Sequence, residues 1–208
     1  MKELTGSYLF KDIHIFQDLR KPELLGKLLR LLAFQLGSEV SFNELAVKLG
    51  IDQKIVQKYI YLLEQAFVIF RLPAFSRNLR KEISKSRRIY FYDLGIRNTI
   101  IQNHNPIDLR DDVDALWENF CIVERLKYLE YSEKTVNQYF WRTTTQKEID
   151  YIEEDQGKLM AFEFKWNQAK KVKAPKEFLE TYRNSEFKVI SKENFEEFIG
   201  IKDEINTN

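Results

Sequence analysis

At 208 residues, with 44% hydrophobic and 31% charged side chains, the chain is long enough to bury cores and too apolar to be read as disordered. A net charge of +1, from 33 basic and 32 acidic residues, excludes a global pull toward nucleic acid and leaves any such affinity to local patches. Its one cysteine, Cys121, excludes an internal disulfide; no apolar run approaches the roughly 18 residues of a membrane span, and MKELTGSYLF lacks a secretory signal's apolar core, so a soluble, cytoplasmic protein with no membrane contact is expected.

Residues 1–21 read as a lead-in segment and residues 22–105 as a first domain. Pro22 suits a first helical turn, and KPELLGKLLRLLAFQLG carries leucines at helical spacing up to Gly37. Ser41 and Glu44 match a capping box for a short second helix ending at Gly50. Asp52 caps a third helix with an apolar stripe of Ile55, Tyr59, Leu62, Leu63 and Ala66. FVIFRL and Arg88–Tyr92 then read as two strands around a basic loop. Three helices followed by a hairpin predict a winged helix-turn-helix. Residues 93–113 read as a connector, with the boundary at Pro106.

Residues 106–208 form the second predicted domain. Asp114 is placed as the cap of a long helix, ALWENFCIVERLKYLEY. Strands follow at 137–142, 147–153 and 158–166, then a helix near 174–184, a strand at 187–191 and a closing helix. The chemistry is concentrated in EIDYIEEDQGKLMAFEFKW. Residues two apart on a strand share a face, so Glu163 and Lys165 project together. A hairpin turning at Asp155-Gln156-Gly157 brings Asp150 to them from the neighbouring strand, with Phe162 and Phe164 burying the opposite face and Ala161 leaving the charged face uncrowded. Asp150 and Glu163 supply hard oxygens for Mg²⁺ or Mn²⁺, and Lys165 can orient a nucleophile or offset phosphate charge, the requirements of phosphodiester cleavage. Glu118 is the candidate third acid; taken alone it reads as an exposed helix residue paired with Arg125.

Two basic stretches are candidate nucleic-acid contacts. The loop 77–88 carries Arg77, Arg80, Lys81, Arg87 and Arg88, and could equally dock a partner domain. The run after Lys165 carries Lys170 and Lys171 beside the acidic cluster. Gln53, Lys54, Gln57 and Lys58 form the outward face of the third helix. His14 and His104 have no metal-ligand spacing, so no zinc site is expected.

The α-β-β-β-α-β order, a helical Glu118, Asp150 and Glu163-x-Lys165 resemble the PD-(D/E)xK nuclease superfamily, with Ile149 where the superfamily's proline stands. The whole chain is similar to the C-terminal half of a bacterial and archaeal AAA-type ATPase family, in which a winged helix precedes a nuclease-like domain of unknown function. SYLFKDI, LLEQAFVIFRL, RIYFYDLGIRN, LWENFCIVERL, YFWRTTTQKEIDY and AFEFK carry that similarity, in order, across residues 7 to 191. The resemblance implies an α/β (α+β) fold with a restriction-endonuclease-like second domain. It also implies a P-loop ATPase half upstream or in trans, and DNA as partner. Gly26-Lys27 and Gly157-Lys158, the Gly-Lys pairs here, lack the P-loop's first glycine, so ATP binding is not expected of this chain.

Overall fold

The structure, a computed structural model, describes residues 22–76, 87–143, 145–167 and 172–201. Apolar residues recurring three and four apart build the first helix, α1 (Pro22–Phe34), which buries Leu25, Leu28, Leu29 and Leu32. Helix α2 (Phe42–Leu49) opens on Ser41, whose hydroxyl accepts the Glu44 N–H at 3.3 Å, and closes at Gly50. Helix α3 (Gln53–Gln65) opens on Asp52, whose carboxylate accepts the Lys54 N–H at 2.7 Å. Its buried stripe is Val56, Tyr59, Ile60, Leu62 and Leu63. Ile55, expected in that stripe, lies at its margin in the first turn and is exposed.

Strands β1 (Ile69–Pro73) and β2 (Arg87–Phe91) form a two-stranded sheet. The backbone ahead of α2 bridges β2 as well: Glu39 pairs with Arg88, and the Val40 N–H donates to the Arg87 carbonyl at 2.9 Å. Within the stretch read as a connector, a brief helix folds onto the first helix. Asp93 caps α4 (Leu94–Ile101) by accepting the Ile96 N–H at 3.0 Å. Arg97 is buried and donates through Nε to the Ala33 carbonyl of α1 at 2.9 Å. Arg110 then holds the following loop, donating to Asn98 Oδ1 at 3.0 Å and to the Asn103 carbonyl at 2.7 Å. The DLGIRN run is thus a helix cap followed by two internal anchors.

The described residues divide into two compact units. One runs through Arg71 and resumes from β2 to Asp111; the other takes the segment from Leu72 and everything from Asp112 onward. The second unit opens with α5 (Val113–Tyr131), which starts one residue before the expected cap, leaving Asp114 inside the first turn. Strands β3 (Asn137–Arg142), β4 (Glu148–Asp155) and β5 (Lys158–Phe164) follow, then α6 (Lys176–Thr181), β6 (Ser185–Ile190) and α7 (Phe195–Phe198). The sheet order is β3-β4-β5-β6, antiparallel twice and then parallel. The β4–β5 turn is two residues, Gln156 (φ 49°) and Gly157 (φ 83°), the paired positive φ of a type I′ hairpin. Phe75 joins this unit at β3, donating its N–H to the Phe140 carbonyl at 2.6 Å.

Side chains alternate across this sheet. Trp141, Ile149, Ile152, Leu159 and Ala161 pack with Phe178 and Tyr182 from α6 and its end. Tyr151, Phe162 and Phe164 face the other way, where the latter two meet Phe198 of α7 edge-on. Ala161, expected beside an open charged face, is fully buried in the α6-side core. Ile149 and Tyr151 are two residues apart yet on opposite faces. The register explains why: Tyr139 pairs with Ile152 but Trp141 with Ile149, so Asp150 and Tyr151 stand against Phe140 alone. This is a β-bulge, and it falls on Asp150. The architecture is mixed α/β, and no helix of the described residues is long and apolar enough to cross a membrane.

Candidate functional site

The β4–β5 ladder runs from Asp155–Lys158 to Tyr151–Phe162 and stops there. One step beyond it, the Asp150 carboxylate replaces a ladder bond. The Phe164 N–H donates to Asp150 Oδ2 at 2.9 Å, and Asp150 is 6% exposed. A buried carboxylate needs such a donor, because an unpaired charge in a dry site is costly. Glu163 and Lys165 lie on the same stretch of chain at the end of β5. Lys165 Nζ meets Glu163 Oε1 at 2.8 Å, with the Glu163 side chain 13% and the Lys165 side chain 38% exposed. Lys165 itself extends the sheet, donating its backbone N–H to the Ile190 carbonyl at 3.0 Å.

The three groups share one electric field. Burial first, and the Asp150 charge second, hold the Glu163 carboxyl above its ordinary range; the Lys165 hydrogen bond and charge pull the other way. For Lys165 burial opposes the ammonium, yet the Glu163 hydrogen bond and the charges of Glu163, Asp150 and Asp114 raise it above the usual lysine value. Cys121 reports on the same region from α5: burial, then Glu118 and Asp150, push its thiol well up, so it stays a buried neutral group rather than a nucleophile.

Asp150, Glu163 and Lys165, the predicted set, are therefore brought together. Glu118 lies half-buried on α5, where its charge and that of Asp150 both act on Cys121. It is not the partner of Arg125, which forms a two-point ion pair with Glu153 at 2.7 and 2.8 Å. Two acids escaped the sequence reading. Asp114 acts on Lys165, and Glu148 acts on Glu163. Spacing could have found both, since Asp114 lies one helical turn before Glu118 and Glu148 two strand positions before Asp150.

A carboxylate whose charge raises the proton affinity of a second one, as Asp150 does for Glu163, makes with it a donor set suited to a hard cation, and the oxygens here are of the type Mg²⁺ takes. Among the described residues no group of three or more His, Cys, Asp or Glu side chains is already arranged to hold a metal ion.

The candidate nucleic-acid contacts are placed unevenly. Arg88 is 4% exposed, so its guanidinium belongs to the interior of the first unit and not to a phosphate-gripping surface, a departure from expectation. Arg87 is half-buried, its guanidinium 4.9 Å from the centre of the Phe42 ring. From Arg88 to Phe91 every residue of β2 is buried, so both faces of the strand are covered and neither arginine is left on an open surface. Gln53, Lys54, Gln57 and Lys58 are exposed on α3, as expected. Arg77, Arg80, Lys81, Lys170 and Lys171, His14 and the 1–21 segment lie outside the described residues.

Comparison with known proteins places the chain. Residues 1–106, just over half of the 208, match the family described as a domain of unknown function (DUF8612), and the chain belongs to that family. Residues 113–202 match a second domain of unknown function (DUF4143), a domain found in AAA-ATPase-associated proteins. The uncharacterized proteins Mb2031c of Mycobacterium bovis and Rv2008c of Mycobacterium tuberculosis are each 29% identical to the chain over 137 residues, 65% of this chain. The matched part spans 30% of the length of either relative. No solved structure matches the chain.

Proposed function

We infer that the chain is a nucleic-acid-associated module of an AAA-type ATPase system, and that its second unit is nuclease-like, cutting phosphodiester bonds with Mg²⁺ or Mn²⁺. The observation that carries this reading is the convergence of Asp150, Glu163 and Lys165 where β4 and β5 part. The αβββαβ order with its final parallel strand supports a restriction-endonuclease-like core. Asp150, pinned by the Phe164 N–H, and Glu163 would hold the cation. When bound, such a cation lowers the pKa of a coordinated water and offsets phosphate charge. Lys165 has its ammonium fixed by Glu163 beside those oxygens, where it can orient a water or meet a phosphate oxygen. In the first unit, the bridge at Glu39, the three helices and the β1–β2 pair support a winged helix-turn-helix. There α3 would present Gln53, Lys54, Gln57 and Lys58 to DNA. A P-loop ATPase half, in cis or in trans, is the partner this reading implies.

Nicking of supercoiled DNA by the purified chain with Mg²⁺ or Mn²⁺ tests the enzyme. Asp150→Asn should abolish it, and cleavage surviving that change rejects the assignment.

A second reading, a non-catalytic module binding DNA or an ATPase partner, is favoured by one feature: Lys165 is already neutralised by Glu163. Calorimetry separates the two, since heat from Mg²⁺ or Mn²⁺ that disappears in Glu163→Gln belongs only to the first.

A further inference from the structure

A cluster of rings flanks the acidic site. Trp117 stands directly before Glu118 on α5, and Trp166 directly after Lys165. Their rings meet edge-on at 5.4 Å between centroids, and both belong to a group completed by Phe120 and Phe195. Phe195 lies 5.4 Å from Trp117 and stacks on Phe120 at 5.1 Å. Such contacts normally close a core, yet this group is open. Phe120 is 37% exposed, and Trp166 and Phe195 are only partly buried. Lys192 sets its ammonium 4.2 Å from the centre of the Trp166 ring, so the group carries its own cation. At its centre, Trp117 is 7% exposed and its indole N–H has no acceptor among the described residues.

We propose that the Trp117–Phe120–Trp166–Phe195 cluster is a stacking subsite for an unpaired nucleobase, with Lys192 meeting the adjoining phosphate. The inference rests on the nucleic-acid reading above and adds the substrate's form to it: a single-stranded or locally opened strand, whose base stacks on the rings while its backbone passes Lys165. Rings favour a base because every base offers a π-face, and a flanking ammonium favours a base attached to phosphate over a plain apolar ligand.

The test compares an oligothymidylate with an abasic oligomer of the same length, titrated into the chain while tryptophan emission is followed. The oligothymidylate should quench emission and bind on the order of tenfold tighter, the scale of one stacked base. Phe120→Ala, which removes an exposed ring without opening the core, should bring the two affinities together, and Trp166→Phe should abolish most of the quenching while leaving stacking affinity. Equal, salt-dependent affinity for both oligomers in the unaltered chain overturns the subsite and leaves the nucleic-acid reading standing. Binding to neither overturns both.

Discussion

The Asp150 carboxylate accepts the Phe164 N–H at 2.9 Å, fastening β4 to β5 at the point where their backbone ladder ends. One side chain thus has a structural bond and a place in the candidate site. Asp150→Ala leaves a buried N–H without its acceptor and should cost about 1–3 kcal/mol in urea unfolding. Asp150→Asn keeps an oxygen for that N–H and should stay within about 1 kcal/mol of the unaltered chain if its contribution is mainly this hydrogen bond. An Asn variant as unstable as the Ala variant would show that the charge, and not the hydrogen bond, holds the strands.

Glu163 titrates above the ordinary 4.5 because of burial first and the Asp150 charge second. A group raised in this way adds stability below its unfolded pKa and loses that contribution as pH climbs through its folded pKa. Asp150→Asn removes the second cause and keeps the first. The Glu163 carboxyl midpoint, followed by ¹³C NMR, should move down, since burial then faces the Lys165 hydrogen bond and charge without the help of Asp150. Added Mg²⁺ should move it down in the unaltered chain. An unmoved midpoint in Asp150→Asn would separate the two carboxylates.

The helices and their caps were legible because capping is local. Ser41 and Asp52 each cap within three residues, so the signal and its cause share one stretch of sequence. The Glu163–Lys165 pair was legible for the same reason, being two positions apart on one strand. Asp150 reached the site by another route. Plain alternation puts Ile149 and Tyr151 on one face, whereas the bulge splits them and re-aims the residue between, and no residue type announces a bulge. Burial of Arg88 and Arg97 was equally hidden. Basic residues read as surface until a distant acceptor appears, and the Ala33 carbonyl that takes Arg97 lies 64 positions away.

Arg125 of α5 and Glu153 of β4 make the same point about distant partners. Two nitrogens of one guanidinium meet both carboxylate oxygens, the third reaches the Phe198 carbonyl, and the guanidinium lies 4.9 Å from the rings of Tyr128 and Phe198. With side chains 16% and 6% exposed, this pair is mostly out of water. Glu153→Met strands the arginine and should cost about 3–5 kcal/mol, while Arg125→Met with Glu153→Met should cost less than that single change. Denaturant unfolding of the singles and the double measures the coupling; additive losses would mean the two charges act independently.

Gly200 and Gly157 both hold a left-handed backbone, at φ 77° and 83°, but only one is crowded. A Cβ on Gly157 meets nothing within 4 Å. A Cβ on Gly200 would sit 2.1 Å from Tyr128 Cε2, on the ring that stacks under Arg125. Gly157→Ala should therefore cost only the left-handed penalty, about 1–2 kcal/mol. Gly200→Ala adds a displacement of Tyr128 to that penalty and should be the more damaging in thermal unfolding. Combining it with Tyr128→Ala should remove the clash, so the extra loss from the alanine at 200 should shrink to the Gly157 level. If that extra loss persists without the tyrosine ring, the crowding at Gly200 has another source.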